Sequence, residues 1–142
     1  MSRIALGIET AFALMLAWTL VFVVPFRWTA RRFGQIEPPA DTCDRRDEAA
    51  LVLGVAVAAR VRWVATRLPW SSSCLVRAVA GLMLLRRRGV RGARIRFGVA
   101  KGADGLKAHA WLILGEAMLL GGEVAADYAA VAELGAAARE RG

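Results

Sequence analysis

Cys74 and His109 are the two residues of this chain whose types and surroundings fit nucleophilic chemistry. Cys74 lies in "PWSSSCL", directly after three serines that can cap a helix, so its thiol is expected at a helix N-terminus. The positive end of the helix dipole and the free backbone N–H groups there favour a thiolate and can stabilise an oxyanion. His109, the single histidine, can supply the base and then the acid that acyl transfer needs.

Each of these residues also has a simpler interpretation. A cysteine near a helix start is usually a small buried residue, and a histidine in a strand is usually a core or surface group. Cys43, the second cysteine, lies in a proline-containing connector, and an incidental role is expected for it. Two cysteines are too few for a disulfide framework and lack metal-ligand spacing, so we expect reduced thiols, no metal and no cofactor.

Start and stop signals delimit the helix that would carry Cys74. Ser72 or Ser73 can cap its N-terminus. Arg86–Arg88 complement the dipole in its last turn, and Gly89 is a natural C′ residue. The stripe that we expect to face inward consists of Leu75, Val79, Leu82 and Met83.

The periodicity changes from helical to alternating after Gly89. "ARIRFGVA" alternates apolar residues with arginines, which predicts a strand. "LKAHAWLIL" places His109 in a strand with two largely apolar faces, so this strand is expected at the centre of a sheet. "MLLGG" predicts a short third strand, and the alanine-rich tail 124–142 is expected to be a helix or a frayed end.

The first half of the chain predicts two further helices. Residues 4–26 contain one charge, Glu9, and precede a group of arginines; they could form a membrane span, a membrane-surface helix or a core helix. We expect residues 1–40 to form this helix and a connector, and residues 41–142 to form the second domain. A helix over about 44–68, capped by Asp44, is predicted to bury one face, made by Val52, Val55, Ala56, Ala59, Trp63 and Val64.

The charge balance narrows the range of partners. Twenty Lys+Arg against twelve Asp+Glu give a net charge of +8. This balance suits an anionic membrane surface or an acidic peptide. Nucleic acid is not an expected partner, because the basic residues form no uninterrupted tract with interleaved aromatics.

Several ordered motifs of the chain resemble a known family. "PWSSSCL", "LLRRRGV", "RFGVAKGADGL" and "AHAWLIL" occur in the order and spacing of the lasso-peptide leader peptidases, a family of transglutaminase-like cysteine proteases. The resemblance covers about residues 60–123 and, more weakly, "VPFRWTARRFG". It implies a papain/transglutaminase-like α+β fold, with N-terminal helices packed on a small antiparallel sheet. It also implies catalysis by Cys74 and His109, which would meet across the boundary between helix and sheet.

The resemblance also implies a function and partners. It implies a cysteine endopeptidase that removes the leader peptide from a ribosomally synthesised lasso precursor before a separate lasso cyclase closes the macrolactam. Nothing before Asp41 resembles a recognition module, so a separate leader-recognition protein is an implied partner. The expected location is the cytoplasm, at the inner face of the cytoplasmic membrane if residues 4–26 contact lipid. Alternatives are a transglutaminase-like acyl transferase and a non-catalytic, membrane-associated basic adaptor.

The sequence departs from the family pattern at the third catalytic position. The family has an acid on the strand after the histidine strand, and this chain has Gly121 about there. Glu123 is the nearest carboxylate and the candidate third member, and Glu116 is a poorer candidate because it lies in a turn. A backbone carbonyl or a water molecule could orient His109 instead, which would leave a Cys–His dyad.

Overall fold

Three helices and an antiparallel sheet form the described part of the chain. The computed structural model describes residues 2–24, 28, 36–37, 48–70 and 73–134, and for 36–37 and 123–125 it describes the backbone alone. The elements are α1 (Arg3–Phe22), β1 (Ile36–Glu37), α2 (Glu48–Ala65), α3 (Cys74–Arg87), β2 (Ala93–Gly102), β3 (Gly105–Leu114), β4 (Ala117–Leu120), a 3₁₀ helix (Gly122–Asp127) and β5 (Ala129–Leu134).

The described strands pair in the order β1-β5-β2-β3-β4, and every pair is antiparallel. Strand β3 lies between β2 and β4, so the histidine strand is an interior strand, but the central place that was predicted for it belongs to β2. Because side chains alternate along a strand, Ala110 and Leu112 share one face of β3, while His109 and Trp111 share the other. The first face packs in the core beneath the helices.

Helix α3 lies at the centre of the helical layer and packs on β2, β3 and β4. Ser73 is its N-cap, as predicted, and its side chain accepts a hydrogen bond from the Val76 N–H at 3.3 Å. At the other end Gly89 has φ +75°, and the N–H groups of Gly89 and Val90 bond to the carbonyls of Arg86 and Leu85. These two bonds form a Schellman cap, so both predicted helix ends are confirmed.

Helix α1 packs on α3 and α2. Its buried residues are Thr10, Ala13, Leu14 and Ala17. Glu9 accepts from Arg88 Nη2 at 2.7 Å and pairs with Arg87 Nε at 3.3 Å, so the single carboxylate of α1 is neutralised by the end of α3. By length and composition α1 could cross a membrane, and 22% of its apolar window is buried against the rest of the protein. Whether it is a membrane span, a membrane-surface helix or a core helix stays a prediction.

The predicted apolar face of α2 is wrong. Val52 is 70% exposed and Trp63 is 56% exposed, and of the six residues expected in the core only Val64 is buried. The buried residues are instead Gly54, Val57, Ala58, Val61, Val64 and Ala65. Apolar and small residues lie all round this helix, so periodicity did not select the inward face. The predicted cap, Asp44, lies outside the described residues.

The predicted helix or frayed end after residue 124 is also wrong for 129–134. This segment forms β5, which pairs with the free edge of β2. Glu133, 1% exposed, pairs with Arg94 Nη1 at 3.0 Å and with Arg96 Nη2 at 2.6 Å. The strand thereby satisfies the backbone of β2 and supplies one buried carboxylate to two arginines, and these tertiary contacts override the helix preference of alanine. Residues 135–142 lie outside the described part.

The predicted α+β class, with helices packed on a small antiparallel sheet, is confirmed. The helices cover one face of the sheet, with Leu82, Ile95 and Leu112 fully buried between the two layers. The expected domain boundary near residue 40 stays a prediction, because 38–47 lie outside the described residues.

Candidate active site

Cys74 is the first residue of α3. Its side chain is half-buried and packs against the core, and its thiol is free. The Ser73 side chain accepts a hydrogen bond from the N–H of Val76. The N–H groups of Cys74 and Leu75 lie in the first turn, where the helix itself provides no acceptor. The thiol therefore lies at the positive end of the helix dipole, next to backbone N–H groups that the helix itself does not pair, where an anion is stabilised.

The imidazole of His109 is held by the backbone that follows β4. Its Nε2 lies 2.9 Å from the carbonyl oxygen of Gly121. A carbonyl oxygen can only accept, so Nε2 carries the proton and donates it in this hydrogen bond. In the neutral ring Nδ1 is then unprotonated, and His109 can act as a base through that atom.

Two aromatic rings pack against this imidazole. Trp111 lies two residues along β3, with its ring centroid 5.8 Å from that of His109 and an interplanar angle of 28°. Tyr128 lies 5.3 Å away at 35°. These two rings and the hydrogen bond to the carbonyl of Gly121 restrict the orientation of the imidazole before any substrate binds.

Gly121 occupies the place at which the family pattern has an acid. Its φ is +79°, and a Cβ added to it would lie 3.0 Å from both His109 Nε2 and Ala110 O. A side chain at this position would therefore displace the ring that the backbone now holds. The side chain of Glu123, the predicted third member, lies outside the described part, so its role stays a prediction.

Helix α3 and strand β3 run in the same direction. Residues 88–92 connect the end of α3 to Ala93, which pairs with Leu114 at the end of β3. Nearer the middle, Gly81 of α3 lies against Leu112 of β3, because a Cβ on Gly81 would be 2.7 Å from Leu112 Cδ2. Between these two places the helix runs in the same general direction as the strand.

This alignment puts Cys74 and His109 at the same end of the helix–sheet layer. Cys74 lies seven residues before Gly81, roughly 10 Å along a helix, and His109 lies three residues before Leu112, roughly 10 Å along a strand. His109, however, projects from the face opposite Leu112. Among the described residues the Cys74 sulfur makes no hydrogen bond to the imidazole. The pairing of Cys74 with His109 stays a prediction. We expect the two side chains to meet at the edge of the sheet.

Sequence reasoning missed two residues around His109, Tyr128 and Gly98. Tyr128 was missed because its segment was expected to be helical. Gly98 pairs directly with His109, and a Cβ on it would overlap the ring atom Cη2 of Trp111. The glycine inside an alternating strand pattern was the available signal, since such glycines often mark a close approach of another group. Trp111 fills that space with its indole ring.

Replacing Gly98 with alanine is expected to lower the free energy of unfolding by about 1–3 kcal/mol, because the added methyl group overpacks Trp111. The matched control is Gly7→Ala in α1, where a Cβ would meet nothing within 4 Å. That substitution is expected to raise stability by about 0.5–1 kcal/mol. Denaturant unfolding of both variants measures the difference, and equal effects would contradict the packing described here.

No three His, Cys, Asp or Glu side chains in the described part of the chain form a group that could hold a metal ion. The candidate site offers a thiol at a capped helix start and an imidazole with a fixed tautomer. A thiol nucleophile and an imidazole base are the two groups that covalent acyl transfer requires.

Comparison with known proteins identifies the family. A family model described as "Transglutaminase-like superfamily" matches residues 20–133, which is most of the chain. The protein therefore belongs to the transglutaminase-like superfamily, and the predicted transglutaminase-like fold is confirmed. Such a fold is typically that of a cysteine peptidase or an acyltransferase. Searches among curated proteins and among solved structures found no match.

Proposed function

We propose that this protein is a cysteine endopeptidase that removes the leader peptide from a ribosomally synthesised lasso precursor. The observation that carries the proposal is the hydrogen bond from His109 to Gly121, which leaves Nδ1 as a base in a chain whose Cys74 begins a capped helix. The superfamily supports the thiol chemistry. The narrower substrate rests on the resemblance of "PWSSSCL" and "AHAWLIL" to the lasso leader peptidases.

The first half of the reaction transfers an acyl group to the enzyme. Nδ1 of His109 takes the thiol proton of Cys74, and the sulfur attacks the scissile carbonyl carbon. The resulting oxyanion is stabilised by backbone N–H groups at the start of α3. When the intermediate collapses, the C–N bond breaks, the imidazolium protonates the departing amine, and the leader remains on Cys74 as a thioester.

The second half returns the enzyme to its starting state. His109 takes a proton from water, and the oxygen attacks the thioester carbonyl. Breaking of the C–S bond releases the leader with a free carboxylate, and the thiolate recovers its proton from the imidazolium. The departed amine is the N-terminus of the core peptide, which a separate lasso cyclase would use to close the macrolactam.

The Gly121 carbonyl orients His109, which is the role of an acidic side chain in the family that the sequence resembles. It fixes the tautomer of His109, but as a neutral dipole it stabilises the imidazolium less than a carboxylate would. We therefore propose a Cys–His dyad in the described part of the chain. Glu123 remains the candidate third member if its side chain reaches the imidazole.

The proposed partners follow from the same resemblance. A separate leader-recognition protein would deliver the precursor, as the resemblance to the lasso leader peptidases implies. The net charge of +8 is complementary to an acidic leader peptide and raises the rate of encounter at low ionic strength.

Mass spectrometry of the reaction products tests this function. The full chain is incubated with the co-encoded precursor and recognition protein, and we expect a leader with a free carboxylate and a core peptide with a free N-terminus. A leader joined to an added amine, without free leader, would identify an acyl transferase instead. An intact precursor, with recognition protein and substrate shown to bind each other, would contradict both and favour the adaptor.

A further inference from the structure

The outer side of α1 is an apolar surface without a partner in the described part of the chain. Its core side is buried, but its opposite side exposes large apolar residues over about five turns of helix, roughly 27 Å. Phe12 is 60% exposed and Ile8 is 66% exposed. The residues of this surface are Ile4, Ile8, Phe12, Met15, Leu16, Trp18 and Phe22.

Helix α2, which packs beside α1, adds a second exposed stripe. Val52, Val55 and Trp63 lie at helical spacing and are all more than half exposed. The stripe ends at Arg67, whose guanidinium stacks over the Trp63 ring at 3.6 Å from its centroid. A tryptophan paired with an arginine in this way presents an apolar ring and a cation together, a combination that suits the boundary between lipid and water.

The charges around these two stripes are mainly positive. Residues 2–24 and 48–70 contain Arg3, Arg60, Arg62 and Arg67, against the two carboxylates Glu9 and Glu48. Arg62 is engaged elsewhere, because its Nη1 donates to the Leu119 carbonyl of β4 at 3.2 Å. Glu9 is engaged by Arg87 and Arg88 and is 14% exposed, so it adds little negative charge to the outer surface. Apolar residues with a cationic surround fit the surface of an anionic membrane.

Packing decides how α1 could contact lipid. Leu14 and Ala17 are fully buried, and the ion pairs of Glu9 attach α1 to the end of α3. A transmembrane orientation would require these contacts to break. A helix lying in the plane of the membrane keeps them and buries only the exposed side.

We propose that the protein docks on anionic membrane surfaces through the outer faces of α1 and α2, with α1 in the plane of the interface. The apolar side chains enter the boundary between head groups and acyl chains, and Arg3, Arg60 and Arg67 contact the lipid phosphates. The proposal is independent of the peptidase function, because it uses no residue of the Cys74–His109 site.

Flotation of the full chain with lipid vesicles tests the proposal. Vesicles of phosphatidylcholine alone are compared with vesicles that also contain phosphatidylglycerol. We expect binding to the anionic vesicles, reduced by added salt, and weak binding to the neutral ones. Binding to neither kind of vesicle would overturn the proposal.

Two matched substitutions locate the contact. Phe12→Glu puts a charge on the outer face of α1 and is expected to weaken vesicle binding by about tenfold or more. Leu106→Glu makes the same kind of change at a residue that is 79% exposed in β3, and is expected to leave binding unchanged. Equal losses in both variants would overturn the assignment to α1.

Two control measurements keep this test interpretable. Circular dichroism and thermal unfolding establish that Phe12→Glu folds; if it does not, Ile8→Ser replaces it at another exposed position of the same face. Sedimentation without vesicles reports self-association. A dimer that Phe12→Glu dissociates, together with no vesicle binding by the wild type, would assign the surface to a second copy of the chain and overturn the proposal.

Discussion

Replacing Cys74 with alanine is expected to abolish leader removal, with a loss of at least ~10³-fold in the rate of precursor cleavage. The reason is that the sulfur forms the covalent bond of the proposed mechanism, and the neighbouring described hydroxyl, that of Ser73, is not available to replace it. Ser73 is committed to its cap, where its side chain accepts from the N–H of Val76. The measurement is single-turnover cleavage of the precursor in the presence of the recognition protein.

Cys43→Ala is the matched control, because it removes the other thiol of the chain by the same chemical change. We expect it to cleave at the wild-type rate. Retention of full activity by Cys74→Ala would remove the basis of the peptidase proposal. Cys74→Ala changes a half-buried side chain in the first turn of α3, so thermal unfolding of the variant shows whether a lost rate reflects chemistry or lost structure.

Local signals in the sequence predicted the part of the fold that carries the candidate residues. Ser73 and Gly89 each satisfy backbone hydrogen-bonding groups that lie within a few residues of them. The two ends of the helix can therefore be predicted from the adjacent sequence alone. Alternation of apolar residues with arginines likewise predicted β2, because period two is a property of the strand itself.

The failures of prediction depend on partners distant in sequence. Helix α2 is apolar nearly all round, so the side that α1, α3 and β4 cover is decided by packing and not by periodicity. The segment 129–134 forms a strand because β2 has a free edge and Arg94 and Arg96 require a buried carboxylate, which Glu133 supplies. Neither requirement is visible in the alanine-rich segment alone.

In the candidate site, too, the features set by neighbouring residues were predicted and those set by residues distant in sequence were not. Cys74 and His109 could be selected from their local sequences and from the family resemblance. The orientation of the imidazole could not be predicted from the local sequence. It is set by the backbone carbonyl of Gly121, whose φ is +79°, and every residue type has a backbone carbonyl. What distinguishes Gly121 is the absence of a side chain, which allows the backbone to come within hydrogen-bonding distance of Nε2.

Removing the base is expected to slow the same reaction without removing the nucleophile. For His109→Ala we expect a loss of about 10²–10⁴-fold in cleavage rate, the range typical of a general base. The loss should be smaller at alkaline pH, because hydroxide then forms the thiolate that His109 otherwise generates. A pH–rate profile of the variant beside the wild type measures this difference.

His109→Gln separates proton transfer from the positioning of the ring. A glutamine side chain can donate to the Gly121 carbonyl, as Nε2 of His109 does at 2.9 Å, but it has no basic nitrogen. We therefore expect His109→Gln to keep more stability than His109→Ala and to lose a similar factor in rate. If His109→Gln cleaved as fast as the wild type, His109 would be a structural residue of the sheet. The base for Cys74 would then have to be sought elsewhere, because this chain has no second histidine.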